Sequence, residues 1–290
     1  MKTQTIKNMK KYLLLPAIAL AFVSCSDDDV PVANDVTLEF NNTFKGQTIV
    51  LGDATSAEAT TNTSVEDQVH HFSELKYVIS NIILVKEDGT EIPYNVNDLD
   101  EGAIVIDQSK EETLEYVLND IPTDDYTQII FGLGVRSDLN TLDEVSNPEF
   151  YAEAGANDTQ MHWEWGTGYR FTKIEGFYDT DNKTLSFHSG STVEGTVDDE
   201  SSYIPGFDAY REITLDLPSM AKVGEHSPKI VIEADFDALL SGKTNTILLD
   251  DKNATPSVHT SVSMSKYVDN IGGDGTNDVT GMFSISKVEN

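Results

Sequence analysis

An all-β antiparallel β-sandwich, Greek-key and Ig-like, with long loops and little helix, is the fold class this 290-residue chain predicts. Two observations carry that expectation. Apolar and polar residues alternate with a period of two in segment after segment, which turns one face of each segment to a core and the other to water. Turn residues interrupt those segments at roughly ten-residue intervals, the rhythm of antiparallel sandwiches. With 39% hydrophobic residues the chain can bury a sizeable core, and it shows neither a fixed-period repeat nor a low-complexity tract.

Val36-Thr37-Leu38-Glu39-Phe40 alternates and predicts a half-buried first strand, with Thr48-Ile49-Val50-Leu51 as a second. Gly52 to Gln68 has no period and reads as a loop. Phe72 to Val85 is the longest apolar segment, with Leu75, Tyr77, Ile79, Ile83 and Val85 on one parity and Val78 and Ile82 on the other. A strand buried on both faces fits it, and an Asp88-Gly89 turn follows. Ala103 to Ile106, Leu114 to Leu118 and Tyr126 to Val135 continue the rhythm, and Gly132 and Gly134 mark a bulge or a close backbone approach. Ser137 to Gln160 reads as a long Asn- and Asp-rich loop.

Tyr169 to Ile174 and Thr184 to Phe187 alternate around an Asp179-Thr180-Asp181-Asn182 turn, so they predict a β-hairpin. Glu194 to Tyr210 is a second polar loop, and Glu212 to Leu217 and Lys229 to Ala234 are strands. Asp235 to Gly242 has the acidic start and Gly stop of one or two helical turns. His259 to Asn277 is turn-rich, and Met282 to Ser286 closes the chain as a strand.

Residues 1–24 are not part of that fold. Lys2, Lys7, Lys10 and Lys11 form a basic region, Leu13 to Val23 is apolar but too short to span a membrane, and Ser24-Cys25 follows. The segment resembles a bacterial lipoprotein signal peptide with Cys25 as the lipidated residue, although Phe22 stands where such leaders usually carry Leu. Residues 25–35 form an acidic tether whose Ser26-Asp27-Asp28-Asp29 resembles the surface-export tag of Bacteroidota-type lipoproteins. An outer-membrane lipoprotein exposed at the cell surface is therefore expected, with residues 36–290 as one domain. Cys25 is the only cysteine, so disulfides and thiolate metal sites are ruled out. Removing the four leader lysines takes the formal charge from −31 to −35, a surface that repels nucleic acid and attracts cations.

The rarest ligand-capable side chains sit together. Met161-His162-Trp163-Glu164-Trp165-Gly166-Thr167-Gly168-Tyr169-Arg170-Phe171 holds both tryptophans, and the hairpin that follows returns His188-Ser189-Gly190 toward them. This block, with Tyr77 to Ile82, Phe131 to Val135, Asp269-Asn270 and Gly281-Met282-Phe283, resembles the MbnP family of envelope proteins, which includes partners of copper-chelating methanobactins. The resemblance spans most of the mature chain. It implies a β-sandwich lipoprotein or secreted protein that binds copper through histidine and, in some members, through a tryptophan oxidised to kynurenine. Carried over by position, Trp163, Trp165 and His188 match the family's residues, whereas His162 stands where relatives more often have an aromatic residue. An envelope partner such as an outer-membrane transporter or a peroxidase-like protein is implied as well.

The candidate metal residues are therefore His188, His162, Trp163, Trp165, His70 and His71, with no catalytic residue. An imidazole suits copper, but one imidazole does not make a site, and a satisfied structural histidine is the alternative for His188. Intact indole only donates, so a tryptophan could coordinate only after ring opening. His162 alternates with both tryptophans and should point away from them. Of His70 and His71, one must face inward, and a surface pair is their plainer explanation. No Gly-x-Ser-x-Gly, His-Glu-x-x-His or phosphate loop occurs, so a non-enzymatic protein is expected, and the resemblance implies copper binding as its activity. The competing class is an interaction module that uses loops 137–160 and 194–210 to contact a glycan or an outer-membrane partner.

Overall fold

Two sheets face each other across a core of edge-on aromatic rings. They are seen in a computed structural model that describes residues 34–142, 144–163, 168–196, 200–202, 204–256, 261–275 and 281–290. Cys25, the signal peptide, most of the tether, Trp165 and His259 lie outside the described residues. Chain contacts separate Met1–Pro31 from Val32–Asn290, and every described residue belongs to the second unit.

In chain order the strands are β1 (Val36–Phe44), β2 (Gln47–Thr48), β3 (Asn62–Thr63), β4 (Val69–Lys86), β5 (Glu91–Tyr94), β6 (Ile104–Asp107), β7 (Glu115–Leu118) and β8 (Asp124–Leu133). They continue with β9 (Thr172–Tyr178), β10 (Lys183–Ser189), β11 (Val193–Glu194), β12 (Ile204–Pro205), β13 (Arg211–Val223), β14 (Lys229–Asp235) and β15 (Phe283–Glu289). The α-helical segments are α1 (Leu99–Gly102), α2 (Pro148–Gly155), α3 (Asp237–Leu240) and α4 (Ser261–Gly272).

The smaller sheet runs β15-β14-β1-β2, with β7 also on β1. The larger is built on β4, whose 18 residues pair first with β9 and then with β8 along one edge and with β3, β6 and β5 along the other. Phe40 and Phe283 from the first sheet meet Tyr77 and Phe131 from the second, with ring centroids 5.2 to 6.5 Å apart. Contacts of this kind add about 0.5–1.5 kcal/mol each beyond the area they bury. The one polar group inside that ring cluster is satisfied, since Tyr77 Oη donates to Asn42 Oδ1 at 2.7 Å.

A second, smaller core lies on the opposite face of the β4 sheet. Val78, Val105, Val135 and Phe171 form its floor, and Phe150, Met161, Trp163, Tyr169, Met264 and Val268 cover them. Its centre is the point where β4 changes partner from β9 to β8: Val78 N donates to Phe171 O, and Gly134 N donates to Val78 O. Gly134 adopts φ +101 there, and a Cβ on it would lie 2.4 Å from the Phe171 ring. Gly132 lies under the Tyr210 ring in the same way, so the two glycines mark the close approach that the sequence predicts.

The sandwich is mixed rather than purely antiparallel, because β1 and β14 run parallel from Thr37↔Lys229 to Thr43↔Asp235. Of the expected second strand, Thr48 to Leu51, only Thr48 joins a ladder, together with Gln47 before it. The 137–160 loop contains α2, and the turn-rich tail contains α4. Met264, Tyr267, Val268 and Ile271 are buried along α4 at the i, i+3, i+4, i+7 spacing of a helix face, so the signal was present in the sequence. The 194–210 loop holds the β11–β12 pair.

Candidate functional site

The hairpin β9–β10 forms as its alternation predicts, with Asp179 and Asn182 taking positive φ in the connecting turn. Its register fixes two rungs on the outer face of the larger sheet. Lys76, Lys173 and His188 stand opposite one another on β4, β9 and β10, and next to them stand Glu74, Glu175 and Ser186. The alternate residues Ile174, Leu185 and Phe187 point inward to the main core. His188 is thus on the outer face because its neighbours in sequence are committed to the inner one.

Trp163 reaches this face from a small hairpin of its own. Arg170 N donates to Met161 O, Trp163 N donates to Gly168 O, and His162 bridges Tyr169 in antiparallel fashion. The Trp block is therefore separate from the β9–β10 ladder, which starts only at Thr172. The Trp163 and His188 ring centroids are 6.4 Å apart at 54°, and the Arg170 guanidinium lies 4.9 Å from the centre of the indole.

His188 Nε2 lies 2.9 Å from Glu175 Oε1 and 3.3 Å from Ser186 Oγ. A carboxylate only accepts, so Nε2 carries the proton and Nδ1 of the neutral ring keeps its lone pair. Among the described residues Nδ1 makes no hydrogen bond. The hydrogen bond from His188 holds the Glu175 carboxyl below the usual range, with help from Lys173 and Arg170, while burial opposes the shift. Ser186, His188 and Glu175 do not form a nucleophilic relay, because hydroxyl and carboxylate share one ring nitrogen and a relay needs both.

The other candidate residues are dispersed. His162 faces away from Trp163, as its parity predicts, and lies between Tyr151 and Tyr169 with ring centroids at 4.5 and 5.4 Å. Burial lowers its pKa, partly opposed by a backbone hydrogen bond at Tyr151, and among the described residues its enclosed Nε2 has no hydrogen-bond partner. His70 is the inward member of its pair, set edge-on between Phe44 and Phe72 and therefore on the opposite face of the sheet from His188. Its pKa is driven down to about 4, chiefly by burial and further by His71 and Lys45. His71 shares the outer face but pairs with Phe177, which puts it roughly 16 Å from His188 by strand geometry, and its Nε2 contacts Asp53 O. Met161 and Met264 are core residues. Trp165 lies outside the described residues.

The donor set fits a metal only as an open site. Among the described residues no three His, Cys, Asp or Glu side chains converge. Among the described residues His188 Nδ1 is the open imidazole nitrogen that stands beside an indole, and Glu175 behind it is the carboxylate that commonly fixes a metal-binding tautomer, whereas His71, held through Nε2 by Asp53 O, stands apart from these groups. The ammonium of Lys173 and the guanidinium of Arg170 stand on the same face, so the local field is not that of a bare carboxylate cation trap. Glu175, Arg170, Lys76 and Lys173 were missed in the sequence as site residues. Counting the register outward from the Asp179–Asn182 turn would have placed Lys173 opposite His188 and Glu175 one rung away.

A family model for MbnP matches residues 33–263. MbnP from Methylosinus trichosporium is similar in structure, with a TM-score of 0.55 at 15% identity over 87% of this chain and 97% of that one, a likeness of fold. No curated protein matches the chain. The match to the family covers most of the sandwich and both halves of the Trp163–His188 site, and the chain belongs to the MbnP family.

Proposed function

We propose that this protein binds copper on the outside of a bacterial envelope membrane, anchored there by lipid on Cys25, with His188 as the principal ligand. The observation that supports this reading is the His188 ring: Glu175 holds it through Nε2, Nδ1 stays open, and the Trp163 indole stands 6.4 Å away. Copper bound there would supply a redox-active cation. His188 would bind it through Nδ1, Glu175 would orient the imidazole, and Trp163 would wall the site from one side. Further ligand positions would be filled by water, or by the aromatic amine that appears if an external peroxidase-type oxidant opens the Trp163 or Trp165 ring to kynurenine. Binding and hand-over, rather than catalysis, suit a site with one anchored imidazole and no relay.

The lack of a third ligand-capable side chain beside His188 and Glu175 among the described residues favours one second reading. On it, the same sandwich serves as an interaction module for a glycan or an envelope protein. Copper titration of the mature protein, followed by elemental analysis and intact mass, separates the two. A ligand that prefers the native state must raise its thermal midpoint. Stoichiometric copper, a raised midpoint and loss of both in His188→Ala support the copper reading. A ring-opened tryptophan would exchange one carbon for one oxygen in the mass. No copper and no change in midpoint would replace copper binding with the interaction reading.

A further inference from the structure

Two lysines are buried on the outer face of the β4 sheet, and neither contacts His188's open nitrogen. Lys76 is 4% and Lys173 6% exposed. Taking an ammonium out of water costs several kcal/mol unless it is paired and hydrogen-bonded. Glu74 pairs with both, at 2.6 Å from Lys76 and 2.8 Å from Lys173, and Asp107, 3.5 Å from Lys76, supplies the second negative charge.

Their remaining donors all converge on one short segment. Lys76 Nζ donates to Asp158 O at 2.5 Å and Thr159 O at 3.3 Å, and Lys173 Nζ donates to Gln160 Oε1 at 2.9 Å. From the other side, Arg170 donates to Gln160 O at 2.5 Å while its guanidinium lies over Trp163. Lys110 pairs with Asp158 at 2.7 Å above them. Gln160 takes φ +54, a left-handed turn that redirects the chain into Met161 and Trp163. The tethers therefore end three residues before the indole, at the bend that decides where it points.

We propose that Lys76 and Lys173 are positioning residues that clamp the 158–160 strap to the sheet and so hold Trp163 beside His188. The proposal rests on the copper reading for its purpose but not for its test. A structural role alone would lower stability and leave the native contact intact. A positioning role moves Trp163 while the fold persists.

The test uses metal-free protein in a Trp165→Phe background, so that Trp163 is the sole indole. Lys76→Met, Lys173→Met and the milder Gln160→Asn are compared below their unfolding transitions. Asn keeps the tolerance for left-handed φ and withdraws the amide from Lys173, so it answers if either lysine variant fails to fold. The expected result is loss of the nuclear Overhauser contact between the Trp163 and His188 rings, with greater quenching of Trp163 by acrylamide and unchanged β-sheet circular dichroism. Persistence of that contact in every folded variant, whatever the thermal midpoint does, would overturn the clamp. Loss of the contact in a protein that never binds copper would uphold the clamp and reject the copper reading. Where copper is bound, affinity should fall by about tenfold, as for outer-shell partners of metal ligands generally.

Discussion

Gly190 lies against the indole of Trp163. A Cβ on this glycine would meet Nε1 at 2.8 Å, Cζ2 at 2.9 Å and Tyr169 O at 3.0 Å. The glycine of His188-Ser189-Gly190 thus leaves the space that lets the indole stand beside the imidazole two residues earlier. Gly190→Ala should push Trp163 away from His188 and cost about 1–3 kcal/mol, the range for overfilling a packed site. Denaturant unfolding and the fluorescence maximum of Trp163 with Trp165 replaced by Phe check this. A variant with unchanged stability and an unchanged emission maximum would show that the indole does not occupy that space.

Glu175 holds the side of the His188 ring opposite the open nitrogen. Glu175→Gln keeps the shape but can present an amide N–H to Nε2, which would favour the other tautomer and protonate Nδ1. Copper affinity should fall by about 10- to 100-fold while the thermal midpoint of the apo protein changes little. Titration calorimetry gives the affinity. Equal affinity in E175Q would mean that His188 does not ligate through Nδ1.

The hairpin that carries His188 was legible because Tyr169 to Ile174 and Thr184 to Phe187 alternate around a strong turn, and that alternation is local. The parallel pairing of β1 with β14 was not, since the paired residues Thr37 and Lys229 are 192 positions apart in the sequence and no local period encodes a partner at that distance. Within the site, Trp163 and His188 stood out as rare residues. Lys76, Lys173 and Glu74 did not, because a charged residue at an outward strand position normally faces water, and only the strap folded over them buries these. Asp269 and Asn270, prominent in the family resemblance, turn out to serve the scaffold: Asp269 pairs with Arg211, and Asn270 fixes the loop after α3.

His70 makes the fold sensitive to acid. Its pKa is about 4 in the folded protein against 6.5 for an unperturbed imidazole, so the unfolded chain takes up the proton first as pH falls. The contribution is present in full above about pH 6.5 and is lost as pH drops through 4, and at about 1.4 kcal/mol per tenfold change in proton affinity it amounts to about 3 kcal/mol. Guanidinium unfolding of the wild type and His70→Phe at pH 7.5, 5.5 and 4.5 tests it. The difference in stability between the two proteins should shift in favour of the variant as pH falls across that window. A constant difference would show that His70 is protonated without penalty.

Asn270 is 2% exposed and uses its whole amide on backbone: Nδ2 donates to Leu239 O at 3.0 Å and Asn245 O at 2.9 Å, and Oδ1 accepts from Asn245 N at 3.0 Å. Gly242 is required beside it, since a Cβ there would lie 2.1 Å from Oδ1. Asn270→Ala leaves three backbone groups short of a partner at once, and with about 1–3 kcal/mol for each buried group left unsatisfied, a loss of about 3 kcal/mol or more is expected. Asn270→Asp should be no better, because it keeps the acceptor for Asn245 N but turns a carboxylate oxygen on two carbonyls that need a donor. Denaturant midpoints of the two variants decide the matter. If aspartate restored wild-type stability, the bonds to Leu239 and Asn245 oxygens would carry none of the energy assigned to them, and the loop after α3 would have to be held by Asn245 N alone.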